Sequence, residues 1–426
     1  MSKMKILNLA YTDSGGAGKA TLLFNNMLKS HGYNSILLVK ESMESNKNVL
    51  ILRKSNTRLD LFVKRLHKKI KYFSYKVLYQ EKYCFFNLKE SFKQTSSSEI
   101  LSKLSVRPDI IILHWISGFI NAEIIKDLER DTKAKIFWIM IDNAPLTGGC
   151  HFPWDCRGYL SSCSNCPAIK LSYFNSLAHK NLEFKKKNLP KNLTLIAASS
   201  SDYDRAKNSS LFKDNRIEKI LFPIDSDKFN LSNLKLAKKY FSIDTNKKVI
   251  FYGASNITDL RKGFKYFQEA ILKLEAIFKE KGFSLDNYII LVAGHISENA
   301  ILSTDIPILS VGTLSEADLI KAYQCANVFV STSIEDSGPL MINQSIMCGT
   351  PVVAFNIGVA IDLVLDGTSG HTSEVGNTNS LAENIFKILF MEDLDYKIMR
   401  DNCRKTALKS YSFDACISNW NKLFLS

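Results

Sequence analysis

STSIEDSGPLMINQSIMCGTPVVAF, residues Ser331–Phe355, is the stretch from which the fold of this chain is read. It follows a short apolar run, Ala326–Val330, turns at Glu335–Pro339 and becomes helix-like from Leu340. Gly349-Thr350-Pro351 breaks the helix, and Val352–Phe355 resumes as a strand. Strand, glycine turn, helix and strand is the grammar of an open parallel α/β sheet. Such sheets bind ligands outside the carboxyl ends of their strands. Asp336 and the amides around Ser337–Leu340 fall at such an end, under a helix N-terminus that favours phosphate.

The same rhythm extends outward in both directions. Met4–Ala10 reads as a strand, Asp13–Gly18 as a glycine loop, and Lys19–His31 as a helix stopped by Gly32. Gly15 and Gly16 let backbone approach a ligand closely, although a plain tight turn explains them equally. Their spacing fits neither a P-loop nor a dinucleotide fingerprint. Pro108–Leu113 is a strand ending in His114-Trp115, and Lys135–Ile141 is a strand ending in Asp142. His114 is either a structural imidazole or a group facing a site at the strand ends. An interdomain linker is expected around residues 222–245. A second sheet starts at Val249–Gly253, and Lys262-Gly263 opens a long helix. A cation at Lys262 can neutralise a leaving diphosphate, and a carboxylate at Asp336 can hold sugar hydroxyls.

At 426 residues, two or three domains are expected. The hydrophobic (46%) and charged (23%) fractions are those of a soluble globular protein. No apolar run approaches the roughly 20 residues that span a bilayer. The N-terminus reaches an Asp too early for a signal-peptide core, so a cytoplasmic location is expected. The net charge of +14 implies an anionic partner. Arg53–Lys71 interleaves eight basic residues with Phe62, Leu66 and Ile70 at helical spacing. It reads either as a helix on an anionic membrane surface or as a solvated helix packed on its domain. No nucleic-acid module is visible.

Four of the nine cysteines, Cys150, Cys156, Cys163 and Cys166, lie in a C-x5-C-x6-C-x2-C loop, with His151 beside the first. Four thiolates would close a structural zinc site, with His151 as a substitute ligand. Reduced thiols and disulfides are the alternatives.

GGAGKA at Gly15–Ala20, HWISGFI at His114–Ile120, RKGF at Arg261–Phe264 and the Ser331–Phe355 stretch together resemble a retaining GT-B-fold glycosyltransferase of family 4. The cysteine loop is similar to one in members that build extracellular or capsular polysaccharides. The resemblance spans nearly the whole chain and implies two Rossmann-like domains facing each other across a cleft. Residues 1–224 would form the acceptor domain, containing the cysteine loop at 147–167, and residues 225–410 the donor domain. The terminal helix, about 410–426, is a candidate to pack back on the first.

The resemblance further implies transfer of a sugar from a nucleotide-diphosphate sugar to a glycan or lipid-linked acceptor, without a catalytic metal; a peripheral place on the inner face of the membrane is the accompanying expectation. Gly15 and Gly16 would lie near the diphosphate, His114 would face the transferred sugar, and Lys262 would bind the diphosphate. Asp336 would meet donor-sugar hydroxyls, with Gly253, Arg261, Gly338, Pro339 and Leu340 completing the donor site. Gln344 stands where the family carries Glu, and Ala254 and Ile141 where many members carry Arg and His. A nucleotide-sugar epimerase and a non-catalytic nucleotide-sugar or glycan-binding protein are the rival readings.

Overall fold

The computed structural model describes residues 4–42, 48–53, 76–85, 89–295, 303–338 and 340–426. The chain forms two compact units. The first comprises Met1–Ala198, Asp202–Ile220 and Asn421–Ser426; the second comprises Ser199–Ser201 and Leu221–Trp420.

The first unit is built on seven parallel strands: β1 (Lys5–Thr12), β2 (Asn34–Glu41), β3 (Val49–Ile51), β4 (Ile110–Leu113), β5 (Lys135–Ile139), β6 (Thr194–Ala197) and β7 (Ile217–Lys219). Their order is β3-β2-β1-β4-β5-β6-β7. β4 reads IIIL with every residue buried, as a strand covered by helices on both faces requires. Its core joins Leu7, Leu9, Ile111 and Trp138 to Ile124, Ile125 and Leu128 of the helix Ala122–Thr132. That helix is started by Asn121, whose side chain accepts from Ile124 N at 3.0 Å.

The second unit carries six parallel strands: β8 (Lys248–Asn256), β9 (Tyr288–His295), β10 (Ile308–Gly312), β11 (Val328–Ser331), β12 (Val352–Phe355) and β13 (Gly370–Ser373). Their order is β10-β9-β8-β11-β12-β13. The opening stretch folds as its sequence reads, with β11, the helix Leu340–Met347 and β12. Gly349 ends the helix at φ +70°, where a Cβ would lie 2.1 Å from Leu231 Cδ2. β13, a polar GHTS edge, has no apolar run to announce it. The expected linker at 222–245 contains the helix Leu234–Tyr240. Its neighbours are tied down by Arg404, whose guanidinium donates to Ser226 O and Met347 O, both at 2.8 Å.

In each sheet the strand order reverses once, between β1 and β4 in the first and between β8 and β11 in the second. Ligands of open α/β sheets bind at the carboxyl ends flanking such a reversal. Asp13–Gly16 and His114 follow β1 and β4; Arg261-Lys262 and Asp336 follow β8 and β11. The basic stretch read at Arg53–Lys71 lies outside the described residues beyond Arg53, which pairs with Glu99 at 3.3 Å.

Candidate active site

In the second unit, the chain leaving β8 makes a short turn, Leu260–Lys262, initiated by Asp259. The Asp259 carboxylate accepts from Arg261 N at 3.0 Å and pairs with the Arg261 guanidinium at 2.5 Å. Arg261 is thereby committed to its own turn. Gly263 follows at φ +64°, and a Cβ there would lie 2.0 Å from Thr332 O. The Thr332 hydroxyl donates to Lys262 O and Gly263 O, both at 3.0 Å, and Tyr252 OH donates to Lys262 O at 3.1 Å. These contacts fasten the turn after β8 to the end of β11. They aim the Lys262 ammonium at Asp336, 74 positions later in the chain, with which it forms an ion pair. The other Asp336 oxygen accepts from Gly338 N at 3.3 Å.

Lys262, Asp336 and Gly338 thus come together beside the first turn of the helix opened by Leu340. Pro339 lies outside the described residues. Gly253 has a packing role here, since a Cβ would meet Met341 Cε at 2.7 Å. The Gln344 side-chain carbonyl accepts from the buried Tyr323 hydroxyl at 3.0 Å, which leaves one lone pair of that oxygen and the amide NH2 for a ligand. No local pattern marks Tyr323 as its partner.

In the first unit, Gly15 and Gly16 form the first turn of the helix Gly15–Ser30, four residues earlier than the periodicity suggests. Both are exposed, with open space where a Cβ would stand. The loop also brings a carboxylate. Asp13 is 1% exposed, accepts from Ser42 Oγ at 2.5 Å through Oδ2, and has no hydrogen-bond partner at Oδ1. A buried carboxylate at this turn opposes a diphosphate and suits a hydroxyl donor.

His114 is buried, its ring edge-on to Phe24 at 5.3 Å. Its Nε2 donates to Asn8 Oδ1 at 3.0 Å, which leaves Nδ1, without a hydrogen-bond partner, as an acceptor. Burial lowers its pKa to about 3, so the imidazole is neutral near pH 7. Because its folded pKa lies below the unfolded value near 6.5, its contribution is fully present above pH 6.5. It is lost as pH falls toward 3, at up to about 1.4 kcal/mol per pH unit. Denaturant titrations of His114→Gln are expected to show that part of the slope removed between pH 6 and 4; an unchanged slope refutes the assignment.

A small cavity of about 10 Å³ at the carboxyl ends of β4 and β5 is lined by His114, Trp115, Trp138, Asp142 and Pro145 among others. His151 is positioned here. Its Nδ1 lies 2.6 Å from Asp142 Oδ2 and 3.1 Å from the Trp115 indole nitrogen. This nitrogen is engaged by the Asp142 carboxylate.

The loop carrying His151 is clamped by the helix Ser176–Asn188. Asn181 donates to Gly148 O at 2.9 Å, and the buried Lys185 ammonium donates to Ala144 O and Thr147 O at 2.8 and 3.0 Å. Within its KKK run nothing in the sequence singles Lys185 out. Lys185→Met leaves both carbonyls without that donor. It is expected to lower stability by about 2–4 kcal/mol, read as a shifted urea midpoint with unchanged slope; a shift under about 0.5 kcal/mol counts against the clamp.

Cys150, Cys156, Cys163 and Cys166 line another cavity of about 10 Å³ with Phe85 and Ala178. All four are free thiols. Among the described residues no three His, Cys, Asp or Glu are grouped to hold a metal ion. Burial raises the thiol pKa of Cys163, that of Cys150 well above its usual value and that of Cys166 to about 11. As neutral thiols they pack as small hydrophobes with Tyr79, Phe85, Ile169 and Leu182.

Residues 246–390 match the family model described as glycosyl transferases group 1. The chain is 32% identical over 211 residues to the capsular polysaccharide biosynthesis glycosyltransferase CapM of Staphylococcus aureus, covering 47% of this chain and 53% of CapM. It therefore spans about half the length of that curated relative. Sucrose-phosphate synthase from Thermosynechococcus elongatus superposes with a TM-score of 0.65 at 15% identity, over 99% of this chain and 98% of its own. HepE of Anabaena, solved with UDP-glucose, gives 0.63 at 13% identity over 99% of each chain. At these identities the superpositions establish the fold. The chain has the GT-B fold, and within its second unit residues 246–390 match the group 1 glycosyl transferase model.

Proposed function

We propose that this protein is a retaining glycosyltransferase that moves a sugar from a nucleotide-diphosphate sugar to a glycan or lipid-linked acceptor during surface-polysaccharide assembly. The observation that carries the reading is the Lys262–Asp336 pair at the strand-order reversal of the second sheet, beside a helix N-terminus. On donor binding, the Lys262 ammonium turns from Asp336 to the diphosphate and neutralises the charge that grows as the anomeric C–O bond breaks. Asp336, released, accepts from donor-sugar hydroxyls. The acceptor oxygen bonds to the anomeric carbon on the face the diphosphate leaves, and the hydroxyl proton passes to a diphosphate oxygen. In the first unit, the neutral His114 offers Nδ1 as an acceptor. CapM's role in capsular polysaccharide biosynthesis and the UDP-glucose bound by HepE support the donor and pathway classes.

No helix among the described residues is long and apolar enough to cross a membrane. A lipid-linked acceptor would be met at the membrane's inner face. The test is release of nucleoside diphosphate from a donor panel, in step with extension of a glycan acceptor. Asp336→Asn is expected to lower kcat/KM roughly tenfold or more. Extension by the wild type with no effect of Asp336→Asn sinks the site assignment. One second reading has an observation behind it. Gln344, shared with Tyr323, meets a ligand without the charge of a carboxylate, as a non-catalytic nucleotide-sugar binder would tolerate. Saturable donor binding without turnover across the panel would favour it.

A further inference from the structure

The edge of the first unit next to the cysteine loop presents an apolar tip that the transfer chemistry does not use. Residues 76–80 run antiparallel to 168–171: Tyr79 bridges Ile169, Lys170 N donates to Leu78 O at 2.8 Å, and Gln80 N donates to Ala168 O at 2.9 Å. From this base the turn Ser172–Phe174 projects into solvent. Tyr173 is 87% exposed, Val77 47% and Leu171 41%, with Phe174 also exposed. The Tyr173 and Phe174 rings meet edge to face at 5.1 Å, so each supports the other rather than folding back onto the unit. The tip is flanked by cations. Lys170 Nζ lies 2.7 Å from Lys76 O, and Lys180 is exposed on the following helix. Residues 151–191 contain seven Lys and Arg against two Asp and Glu.

We propose that Val77, Leu171, Tyr173 and Phe174, with Lys76 and Lys170, form a docking tip for an anionic lipid bilayer. Apolar and aromatic tips rimmed by lysine match the two layers of such a surface. Tyr and Phe settle at the headgroup–acyl boundary, while ammonium groups pair with anionic headgroups. A protein partner is less well suited, because Ser172 and Asn175 interrupt the patch and leave separated protrusions rather than a continuous apolar face. The surface is independent of the donor site and of the activity proposed above.

Co-sedimentation of the full chain with phosphatidylglycerol vesicles at low salt tests it, with phosphatidylcholine vesicles as the neutral counterpart. Binding to the anionic vesicles, weakened by salt at about 0.5 M, is expected. The triple variant Leu171→Ser/Tyr173→Ser/Phe174→Ser should lose about tenfold or more in partitioning while keeping its thermal midpoint. In Tyr173→Trp, the introduced indole should shift its emission to the blue on binding and be quenched by brominated lipid. Three results overturn the proposal: no binding by the wild type, wild-type binding by the triple variant, or an indole emission in Tyr173→Trp that vesicles leave unchanged. A triple variant altered only in its monomer–dimer equilibrium also overturns it, reassigning the tip to contact between copies.

Discussion

Replacing Lys262 by Met is expected to reduce kcat/KM by about a hundredfold to a thousandfold. The aliphatic stem is kept and the charge is lost. In the resting protein the ammonium is paired with Asp336, and the backbone of its turn is held by Tyr252 and Thr332. The cation is therefore placed before a ligand arrives, and little is lost in ordering it. Removing it takes away the group proposed to meet the diphosphate and leaves the Asp336 carboxylate, 11% exposed, without its counter-charge. Both effects raise the cost of bringing a nucleotide diphosphate to this corner, so nucleoside-diphosphate affinity should fall together with turnover. Calorimetric titration with nucleoside diphosphate and initial rates with the preferred donor check the two halves separately. Changes of under about threefold in both would remove Lys262 from the site.

Gly263→Ala is expected to act on stability and activity at once. At φ +64° a side chain costs about 1–2 kcal/mol. The added Cβ would also lie 2.0 Å from Thr332 O, a backbone atom at the end of β11 that cannot step aside alone. The turn must therefore detach from β11, carrying Lys262 with it. A loss of roughly 3 kcal/mol or more follows, seen as a lower urea midpoint, together with a fall in kcat/KM approaching that of Lys262→Met. Gly282→Ala is the control. Its φ of +72° is similar, but nothing lies within 4 Å of the added atom, so only the conformational cost of about 1 kcal/mol should appear, with activity intact. Equal losses in the two variants would mean that the contact with Thr332 does not matter.

Much of the fold is legible in the chain because it rests on local patterns. IIIL before His114 and VVAF after Pro351 are continuous apolar runs, and parallel strands buried on both faces take that form wherever they occur. The helix from Leu340 and its stop at Gly349 follow from periodicity and from a residue that tolerates positive φ. β13, a polar edge, lacks such a run and becomes visible only through the neighbour it pairs with. The site residues divide in the same way. Positions after strands are readable, but what each side chain touches is set by elements far away in the chain.

Lys262 and Asp336 were each identifiable as a cation and an acid at a helix start, whereas their pairing needs β8 and β11 to be neighbours. Tyr323 takes the Gln344 carbonyl, Asp142 takes His151, and Asp13 brings a buried carboxylate to the glycine turn. The cysteines show the limit most plainly. Their spacing is that of a metal knuckle; the fold adds that burial raises the Cys150, Cys163 and Cys166 thiols and packs them with Tyr79 and Phe85. The succession of strands and helices along the chain, the helix start beside Asp336 and the residue types at the strand ends were determined by the sequence itself, because hydrophobic period and backbone preference act over a few residues. Which charges meet, which carbonyl is already satisfied and which thiols stay neutral were decided only by the tertiary structure, because hydrogen bonding and desolvation depend on whatever the fold brings within a few ångströms.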